Sequence, residues 1–554
     1  MLQSILTSSL EKGFVDQTPA DFSPLSTVTM LKNQHLSCQL MLRVPADEKG
    51  MRVSVTLGGS MAPFATSYNV RHVPVLMATY GPDHTDDNYL RTAPGLYPDV
   101  LEPPHYRGDV RLIPGVLHSV LITLSPEGQL SAGNHNLSLT VKTEQGEELA
   151  THTLTVRILN ATLPEHGMIL TQWFHCDCLA STYDTPVFSE CHWEIMANFL
   201  RTAADYGQNM ILTPLFTPPL DTEVGGERLT VQLVDVTVRE DGSYTFGYDK
   251  LDRWVDMCHA CGMRYFEMSH LFTQWGAAHA PKIIAHVGGE EERIFGWDTD
   301  AMGPEYEAFL KAFLPSLVEH LKELGIDKEC KFHLSDEPHG GCLAQYQHAK
   351  DIVSEALEGY DIMDALSSFD FYRDGLVSLP IPASDHITPF LEADVKGLWT
   401  YYCCVQGKGV SNRFISMPSC RTRALGMQCF KYDIAGFLHW GYNFYNNMYS
   451  VDRINPYLDN SGELQVPAGD AFVVYPAPDG TALPSLRLMT FREGLEDLAA
   501  MKLCAQLCGK EAVVAAVEAV FGEIRFDRCP TTAKQMLDVR GAVDELLAKA
   551  LKSF

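Results

Sequence analysis

Two adjacent carboxylates, Asp336 and Glu337, end a short apolar stretch and stand directly before Pro338. Because proline cannot donate a hydrogen bond to a neighbouring strand, residues 332–335 are predicted to form a strand that ends at the acidic pair. In barrels and open parallel sheets, ligands bind at the carboxyl ends of the strands. The pair is therefore a candidate for acid–base chemistry, with a solvated surface pair or a helix cap as the structural alternative.

Glycoside hydrolysis normally needs two carboxyl groups that flank the scissile bond. A retaining barrel enzyme would usually carry its nucleophile on the seventh strand, and the segment that holds this predicted strand, residues 397–407, contains no acid. In substrate-assisted hydrolysis the carbonyl oxygen of the substrate's own 2-acetamido group is the nucleophile. Glu337 would then be the general acid/base and Asp336 the residue that orients the acetamido nitrogen. Asp370 is the alternative nucleophile, provided that it lies about 5 to 5.5 Å from Glu337.

The predicted elements around the pair alternate between strands and helices from about residue 165 to 445. Eight strand candidates in this order predict a (β/α)8 TIM barrel, with an open doubly wound sheet as the alternative. No GxGxxG or P-loop motif follows a strand, which disfavours the nucleotide-binding sheets. The candidate strands are 168–174, 210–216, 263–270, 332–335, 362–369, 384–389, 397–404 and 436–442.

The regions on either side of the barrel have different patterns. Short β-branched segments separated by Gly, Pro and Asn predict an immunoglobulin-like β-sandwich at the N-terminus. Beyond the barrel we predict strands at 470–476 and 483–490, followed by helices. The predicted domains are the sandwich (1–162), the catalytic barrel (163–450) and a C-terminal β and helical extension packed on the barrel (451–554). Four charged residues of this extension are interpreted as an ion-pair network that docks it: Arg487, Arg492, Glu493 and Asp497.

Polar and aromatic residues collect at the predicted carboxyl ends of the barrel strands. Aromatic rings beside carboxylates suit a carbohydrate, because sugar rings present C–H faces to aromatics and hydroxyls to polar groups. Trp399 and Trp440 are the best candidates for a sugar platform, against the alternative that each is a core residue. The predicted substrate-binding residues are His175, His270, Trp399, Tyr401, Trp440, Tyr442 and Asn443.

Three segments of the chain resemble a known family: 335–338 (SDEP), 436–445 (GFLHWGYNFY), and 469–476 together with 484–497. They are similar to glycoside hydrolase family 123 and the related domain of unknown function 4091 over about residues 165 to 500. The resemblance implies a β-sandwich before a TIM barrel and a retaining exo-hydrolase for terminal β-linked N-acetylgalactosamine (GalNAc). It places Asp336 and Glu337 at the family's substrate-assisted Asp-Glu pair. The residues after Trp440 depart from the family pattern, which has a tryptophan near the end of that segment.

Composition restricts the partners. A net charge of −28, from 70 acidic and 42 basic residues, would repel nucleic acid and anionic membranes, so a small carbohydrate is the expected ligand. The start of the chain lacks a signal-peptide pattern and no run of 18 apolar residues occurs, so a cytoplasmic protein without a membrane span is expected. The oligomeric state stays open, a homo-oligomer included.

Fifteen cysteines, an odd number scattered through apolar runs, favour buried free thiols in a reducing compartment. Cys176 with Cys178, and Cys258 with Cys261, lack the second ligand pair of a zinc site, so neither a metal nor a cofactor is expected. Two alternative functions remain at this point: a glycosidase for a different glycan, and a non-catalytic carbohydrate-binding protein.

Overall fold

A computed structural model of the protein describes residues 1–104, 109–220 and 225–552. A strand-rich N-terminal region, an eight-stranded parallel barrel and a set of C-terminal helices follow one another along the chain. None of the helices in the described ranges combines the length and the apolar character needed to cross a bilayer.

The N-terminal region consists of two five-stranded sheets packed face to face. Its strands are β1 (Gln3–Ser8), β2 (Thr27–Leu31), β3 (Leu36–Arg43), β4 (Met51–Gly58), β5 (Ala65–Val75), β6 (Gly95–Glu102), β7 (Asp109–Leu112), β8 (Leu117–Leu124), β9 (Gly133–Thr143) and β10 (Glu148–Leu159). One sheet has the order β1-β3-β8-β5-β6 and the other β2-β10-β9-β4-β7. Alternate residues point inward, so that Leu40 and Ile122 of one sheet share a core with Leu139 and Val156 of the other. The predicted strand-rich region is confirmed, and its immunoglobulin-like topology stays a prediction.

The central part of the chain alternates between strands and helices. Its elements are β11 (Ile169–Gln172), α1 (Cys176–Thr182), α2 (Glu190–Asp205), β12 (Met210–Thr213), β13 (Asp235–Val238), β14 (Tyr244–Gly247), α3 (Asp249–Ala260), β15 (Tyr265–Met268), β16 (Ile283–Val287), β17 (Glu290–Phe295), α4 (Pro304–Glu323), β18 (Cys330–His333), α5 (Leu343–Ser354), β19 (Ile362–Leu366), α6 (Asp370–Arg373), β20 (Leu379–Pro382), α7 (Thr388–Glu392), β21 (Trp399–Tyr401), α8 (Ser419–Arg423), α9 (Leu425–Lys431) and β22 (Gly436–His439).

Eight of these strands form one parallel sheet in the order β20-β19-β18-β15-β12-β11-β22-β21. A parallel bridge between Ala383 and Tyr401 joins its two ends, so the predicted eight-stranded barrel is confirmed in outline. The outer layer departs from a regular (β/α)8 pattern, because α6 and α7 have only four and five residues. The connections after β12 and β15 also carry a four-stranded sheet, β14-β13-β16-β17, that the sequence pattern did not predict.

The prediction for the sixth barrel strand was wrong. Residues 384–389 form a turn and the start of α7, whereas the sixth strand is β20, five residues earlier. Its sequence, Leu-Pro-Ile-Pro, did not look like a strand because each proline lacks a backbone N–H. The prolines are tolerated here because β20 lies at the seam of the barrel, where the Ala383–Tyr401 bridge and a hydrogen bond of 2.9 Å from the Thr400 hydroxyl to the carbonyl of Pro382 join it to β21 without needing a proline N–H.

The C-terminal part comprises β23 (Val474–Pro476), β24 (Ala482–Pro484), α10 (Leu486–Cys508), α11 (Lys510–Phe521) and α12 (Ala533–Ala550). The predicted strand over 483–490 was wrong beyond residue 484, because α10 begins at Leu486. The Ser485 side chain caps this helix by accepting a hydrogen bond from the backbone N–H of Leu488. The first turns of α10 are buried on all sides, so the sequence there shows no helical periodicity.

Buried ion pairs fix α10 to both preceding regions. The guanidinium of Arg487 donates two hydrogen bonds of 2.8 Å to the carboxylate of Asp99 on β6. Arg423 on α8 pairs with Glu493 and Asp497. The predicted network therefore exists for three of its four members, and it ties the tail to the N-terminal sheet as well as to the barrel.

Candidate active site

A cavity of about 330 Å³ opens at the carboxyl ends of the barrel strands. Its floor is buried and mostly apolar, whereas Trp275, Glu337, Val405 and Gln465 are exposed at its mouth. All three parts of the chain contribute to it: Tyr80 comes from the N-terminal region and residues 462–471 from the segment after the barrel. The lining residues are Tyr80, Trp173, Trp275, Asp336, Glu337, Ala365, Tyr401, Cys403, Cys404, Val405, Leu438, Trp440, Phe444, Asn446, Gly462, Gln465, Val466 and Ala471.

The acidic pair lies at the mouth of this cavity, separated by two residues from β18, which ends at His333 and not at the predicted residue 335. The Ser335 hydroxyl donates to the carbonyl of Thr273 at 2.8 Å, and the backbone N–H of Trp275 donates to the carbonyl of Asp336 at 2.9 Å. Glu337 then adopts a left-handed backbone conformation, with φ of 44°. A non-glycine residue in this region is strained and persists only where its surroundings hold it, which is common at functional sites. The turn brings both carboxylates to one cavity, as the sequence predicted.

The surroundings of Glu337 favour its protonated form. Although the side chain reaches the solvent of the cavity, the protein encloses it on most sides, and this desolvation raises its pKa above the usual value. The Tyr401 hydroxyl donates to Glu337 Oε1 at 3.0 Å and partly opposes that rise. Burial, followed by the charge of Glu337, raises the pKa of Tyr401, so the phenol keeps its proton and acts as the donor. A carboxyl group with a raised pKa suits general acid catalysis near neutral pH.

Trp173 forms part of the cavity floor, and a buried carboxylate holds its ring. The indole N–H donates to Glu267 Oε1 at 2.7 Å, and Glu267 also accepts from Thr171 and from His333 Nε2, both at 2.5 Å. His333 Nδ1 lies 3.4 Å from a carboxylate oxygen of Asp364. Burial lowers the pKa of His333, but its hydrogen bonds and charge interactions with Asp364 and Glu267 outweigh burial and raise it to about 10. An imidazolium between two carboxylates therefore supports the floor.

Trp440, which follows the neighbouring strand β22, has an equivalent anchor. Its indole N–H donates to Asp470 Oδ2 at 2.7 Å, and Asp470 is completely buried. Burial raises the pKa of Asp470 to about 7, a shift that the charge of Arg413 and the hydrogen bond from Trp440 partly oppose. His439 stays neutral because burial and Arg413 lower its pKa well below the usual value. Two tryptophans that line one cavity are thus each held by a buried carboxylate.

Of the predicted substrate-binding residues, the structure brings Tyr401 and Trp440 to the cavity. His175 and Asn443 lie behind Trp440. The backbone N–H of His175 donates to the Asn443 side-chain oxygen at 2.9 Å, and the Asn443 amide donates to the carbonyl of His175 at 3.1 Å. The ring of His175 also donates from Nε2 to the carbonyl of Trp440 at 2.9 Å. Burial and the neighbouring Arg228 lower the pKa of His175 to about 4, so the ring is neutral.

The other three predicted residues are buried in the framework. His270 stacks on His333 with ring centroids 4.1 Å apart. Trp399 lies inside the barrel, where its ring covers Gly436 of the neighbouring strand. Tyr442 donates from its hydroxyl to the carbonyl of Phe199 at 3.0 Å. None of these residues, nor His175 or Asn443, is among the described residues that line the cavity, so their direct contact with substrate stays a prediction.

Asp370, the alternative nucleophile, is the first residue of α6. Its side chain is exposed and forms an ion pair of 2.6 Å with Arg373. It does not belong to the described residues that line the cavity.

Sequence reasoning missed several residues of the site. Glu267 carried a usable signal, because it is the one acid inside the apolar strand predicted at 263–270, and a buried carboxylate needs partners. Trp173 is the penultimate residue of the first predicted strand, 168–174, and its place near the carboxyl end of that strand was a usable signal. Tyr80 and Asn446 come from irregular segments, so no periodicity pointed to them. All fifteen cysteines lie in the described ranges and are free, Cys403 and Cys404 of the cavity wall among them.

Comparisons with known proteins agree with this architecture. The family model described as "Glycoside hydrolase 123, catalytic domain" matches residues 173–504, more than half of the chain. No curated protein matches the chain. A family 123 glycoside hydrolase from Clostridium perfringens, whose structural analysis concerned glycolipid glycan hydrolysis, has a TM-score of 0.76 at 14% identity, with 100% of this chain and 98% of that chain covered. At that identity the likeness shows a shared fold.

A β-glucuronidase from Parabacteroides merdae gives a TM-score of 0.32 at 12% identity, with 89% of this chain and 51% of that chain covered. The family model confirms the family that the sequence motifs suggested, and the Clostridium perfringens structure shares the fold over 98% of its length. The chain belongs to glycoside hydrolase family 123 and is a glycoside hydrolase.

Proposed function

We propose that the enzyme is a retaining exo-glycosidase that removes terminal β-linked GalNAc by substrate-assisted catalysis. The observation that carries this proposal is the composition of the cavity. Among its described lining residues the only carboxylates are Asp336 and Glu337, which are adjacent in the chain. A site of this kind offers one proton shuttle and one partner for a substrate N–H, while the nucleophile is left to the substrate.

In the first step the carboxyl group of Glu337 donates its proton to the glycosidic oxygen as the bond from that oxygen to C1 breaks. The acetamido carbonyl oxygen forms a bond to C1 from the opposite face, and the leaving group departs as an alcohol. Asp336, as a carboxylate, accepts a hydrogen bond from the acetamido N–H and stabilises the positive charge of the oxazolinium ring. The raised pKa of Glu337 supports its role as the acid.

In the second step the water oxygen attacks C1 while the Glu337 carboxylate takes a proton from that water and is protonated again. The bond between C1 and the acetamido oxygen breaks, which restores the acetamido group. Two displacements at C1 give a product with the β configuration of the substrate. The closed, aromatic floor formed by Trp173 and Trp440 favours a single terminal sugar, and the choice of GalNAc rests on the family resemblance.

The experiment measures hydrolysis of an aryl β-GalNAc by wild-type enzyme, Asp336→Asn, Glu337→Gln and the control Asp370→Asn. We expect a loss of about 10²- to 10⁴-fold in kcat for Glu337→Gln, the range of general acid–base catalysis, and a comparable loss for Asp336→Asn. Asp370→Asn should retain full activity. A thiazoline analogue of the oxazolinium ring should inhibit the wild type strongly. Full activity of either active-site variant, or inactivity of Asp370→Asn, would refute the mechanism.

A further inference from the structure

The mouth of the cavity carries an exposed aromatic pair that the proposed mechanism does not use. Trp275, in the connection after β15, lines the cavity and is 40% exposed. Tyr449, in the segment after β22, is 37% exposed and packs edge-on against the indole, with ring centroids 6.2 Å apart. Exposed aromatic rings at the entrance of a carbohydrate pocket are available to stack on a sugar face.

Backbone strain is concentrated around the same entrance. Twelve non-glycine residues in the described ranges have positive φ, and seven of them lie in four segments at or beside the mouth: 275–277, 337, 449–450 and 463–464. A hydrogen bond links the last two segments, since the amide of Asn447, just before Tyr449, donates to the Glu463 carboxylate at 2.9 Å. Strained conformations of this kind collect where a ligand must be met by fixed side chains. The seven residues are Trp275, Ala277, Glu337, Tyr449, Ser450, Glu463 and Leu464.

The position of Trp275 relative to the acid indicates which part of a substrate it would meet. Its backbone N–H is bound to the carbonyl of Asp336 at 2.9 Å, which places the two residues side by side. The floor is closed by the nearly inaccessible Trp173, so a terminal sugar occupies the inner end. Glu337, which must reach the glycosidic oxygen, is exposed at the outer end. The leaving group therefore extends outward past Glu337, in the direction of the exposed indole.

We propose that Trp275, braced by Tyr449, is the platform of a leaving-group subsite that binds a pyranose ring attached to the departing oxygen. This inference rests on the proposed function and adds a requirement for the second sugar. Trp275 contributes the stacking face, and Tyr449 restricts the indole to one orientation. Both residues have a left-handed backbone, a conformation that persists only where the surroundings hold it, so the pair is ordered before substrate arrives and the entropic cost of binding is lower.

The test compares two substrates that share the GalNAc unit. One is GalNAc β-fluoride, which has no leaving-group ring, and the other is a disaccharide with β-linked GalNAc at the non-reducing end and a hexose at the reducing end. We expect Trp275→Ala to lower kcat/KM for the disaccharide about tenfold and to leave the fluoride within twofold. Trp275→Phe should recover most of the loss. The control Leu458→Ala removes an exposed apolar side chain from the segment after β22 and should change neither rate.

The outcomes separate this inference from the proposed function. Equal losses on both substrates would show that Trp275 only supports the acidic pair, and no loss on the disaccharide would show that no ring stacks there; either result overturns the subsite alone. A third substrate, octyl β-GalNAc, tests an apolar occupant: a loss on this substrate without one on the disaccharide overturns the assignment to a sugar. Wild-type enzyme that cleaves none of the three substrates would overturn the proposed function and the subsite together.

Discussion

Replacing Glu267 by glutamine removes a negative charge from beneath the cavity floor while it keeps the size of the side chain. The carboxylate lies on β15 and accepts hydrogen bonds from Thr171, Trp173 and His333. A glutamine has one acceptor oxygen and one donor NH2, so it cannot satisfy the same three donors. The variant also leaves His333 with Asp364 as its remaining carboxylate, at 3.4 Å.

The loss of stability expected for Glu267→Gln follows from the pKa shift of His333 and from the typical cost of breaking a buried ion pair. The pKa of His333 rises from 6.5 in the unfolded chain to about 10 in the fold, which corresponds to about 5 kcal/mol at about 1.4 kcal/mol for each unit of pKa. Removing one partner of a buried ion pair typically costs about 3–5 kcal/mol. Because Asp364 remains, we expect Glu267→Gln to lower the free energy of unfolding by about 3–4 kcal/mol at pH 6.5.

The assay is urea unfolding of the wild type and the variant between pH 6 and 10, followed by tryptophan fluorescence. A histidine with a raised pKa contributes its full stability below the unfolded pKa of 6.5 and loses that contribution as pH rises towards the folded value of about 10. The difference between the two proteins should therefore be largest near pH 6.5 and shrink towards pH 10. Glu291→Gln, a substitution of an exposed glutamate on β17, is the matched control and should stay within about 0.5 kcal/mol of the wild type.

Two results would show that this reasoning is wrong. A variant within about 1 kcal/mol of the wild type at pH 6.5 would mean that the imidazolium and its carboxylates do not contribute as a buried ion pair. A constant difference across the pH range would mean that Glu267 acts through packing alone.

Three further substitutions test other parts of the structure. Tyr401→Phe removes the hydrogen bond that lowers the pKa of Glu337, so the alkaline limb of the pH profile of kcat/KM should move to higher pH; an unmoved limb would contradict this. Gly436→Ala places a Cβ against the Trp399 ring and should destabilise the fold by about 3 kcal/mol in thermal unfolding. A variant as stable as the wild type would show that the Trp399 ring does not cover Gly436. Arg487→Met leaves the buried carboxylate of Asp99 without its cation and should lower the free energy of unfolding by about 3–5 kcal/mol. Adding Asp99→Leu should recover much of that loss. An Arg487→Met variant as stable as the wild type would contradict the ion pair.

Local patterns in the sequence were sufficient for the parts of the fold that strong periodicity determines. Apolar residues at helical spacing, Phe309 and Phe313 among them, predict a helix over 304–324, and α4 spans Pro304–Glu323. Strand β20 was missed because Pro380 and Pro382 are untypical of a strand. They are tolerated at the seam of the barrel, and that seam exists only in the closed sheet. The start of α10 was missed because tertiary burial on every side removes the amphipathic signal.

The same distinction between local signals and tertiary packing applies to the residues of the site. Asp336 and Glu337 could be recognised because the end of a strand and a proline are encoded in adjacent residues. Trp399 was predicted as a platform from its place on a strand; the structure places its ring inside the barrel over Gly436, and its contact with substrate stays a prediction. Tyr80 lies more than 250 residues before the acidic pair, and only tertiary packing brings it to the cavity. A single sequence without homologues contains no local signal for that contact.

The most direct test of the central claim is the dependence of kcat/KM on the acetamido group of the substrate. Aryl β-GalNAc substrates whose N-acetyl group carries zero, one, two or three fluorines differ in the nucleophilicity of the carbonyl oxygen at the same position. If that oxygen attacks C1, with Asp336 holding the N–H and Glu337 supplying the proton, kcat/KM should fall steeply with each added fluorine. A rate that is unchanged across the series would contradict substrate assistance and would require a nucleophile from the protein.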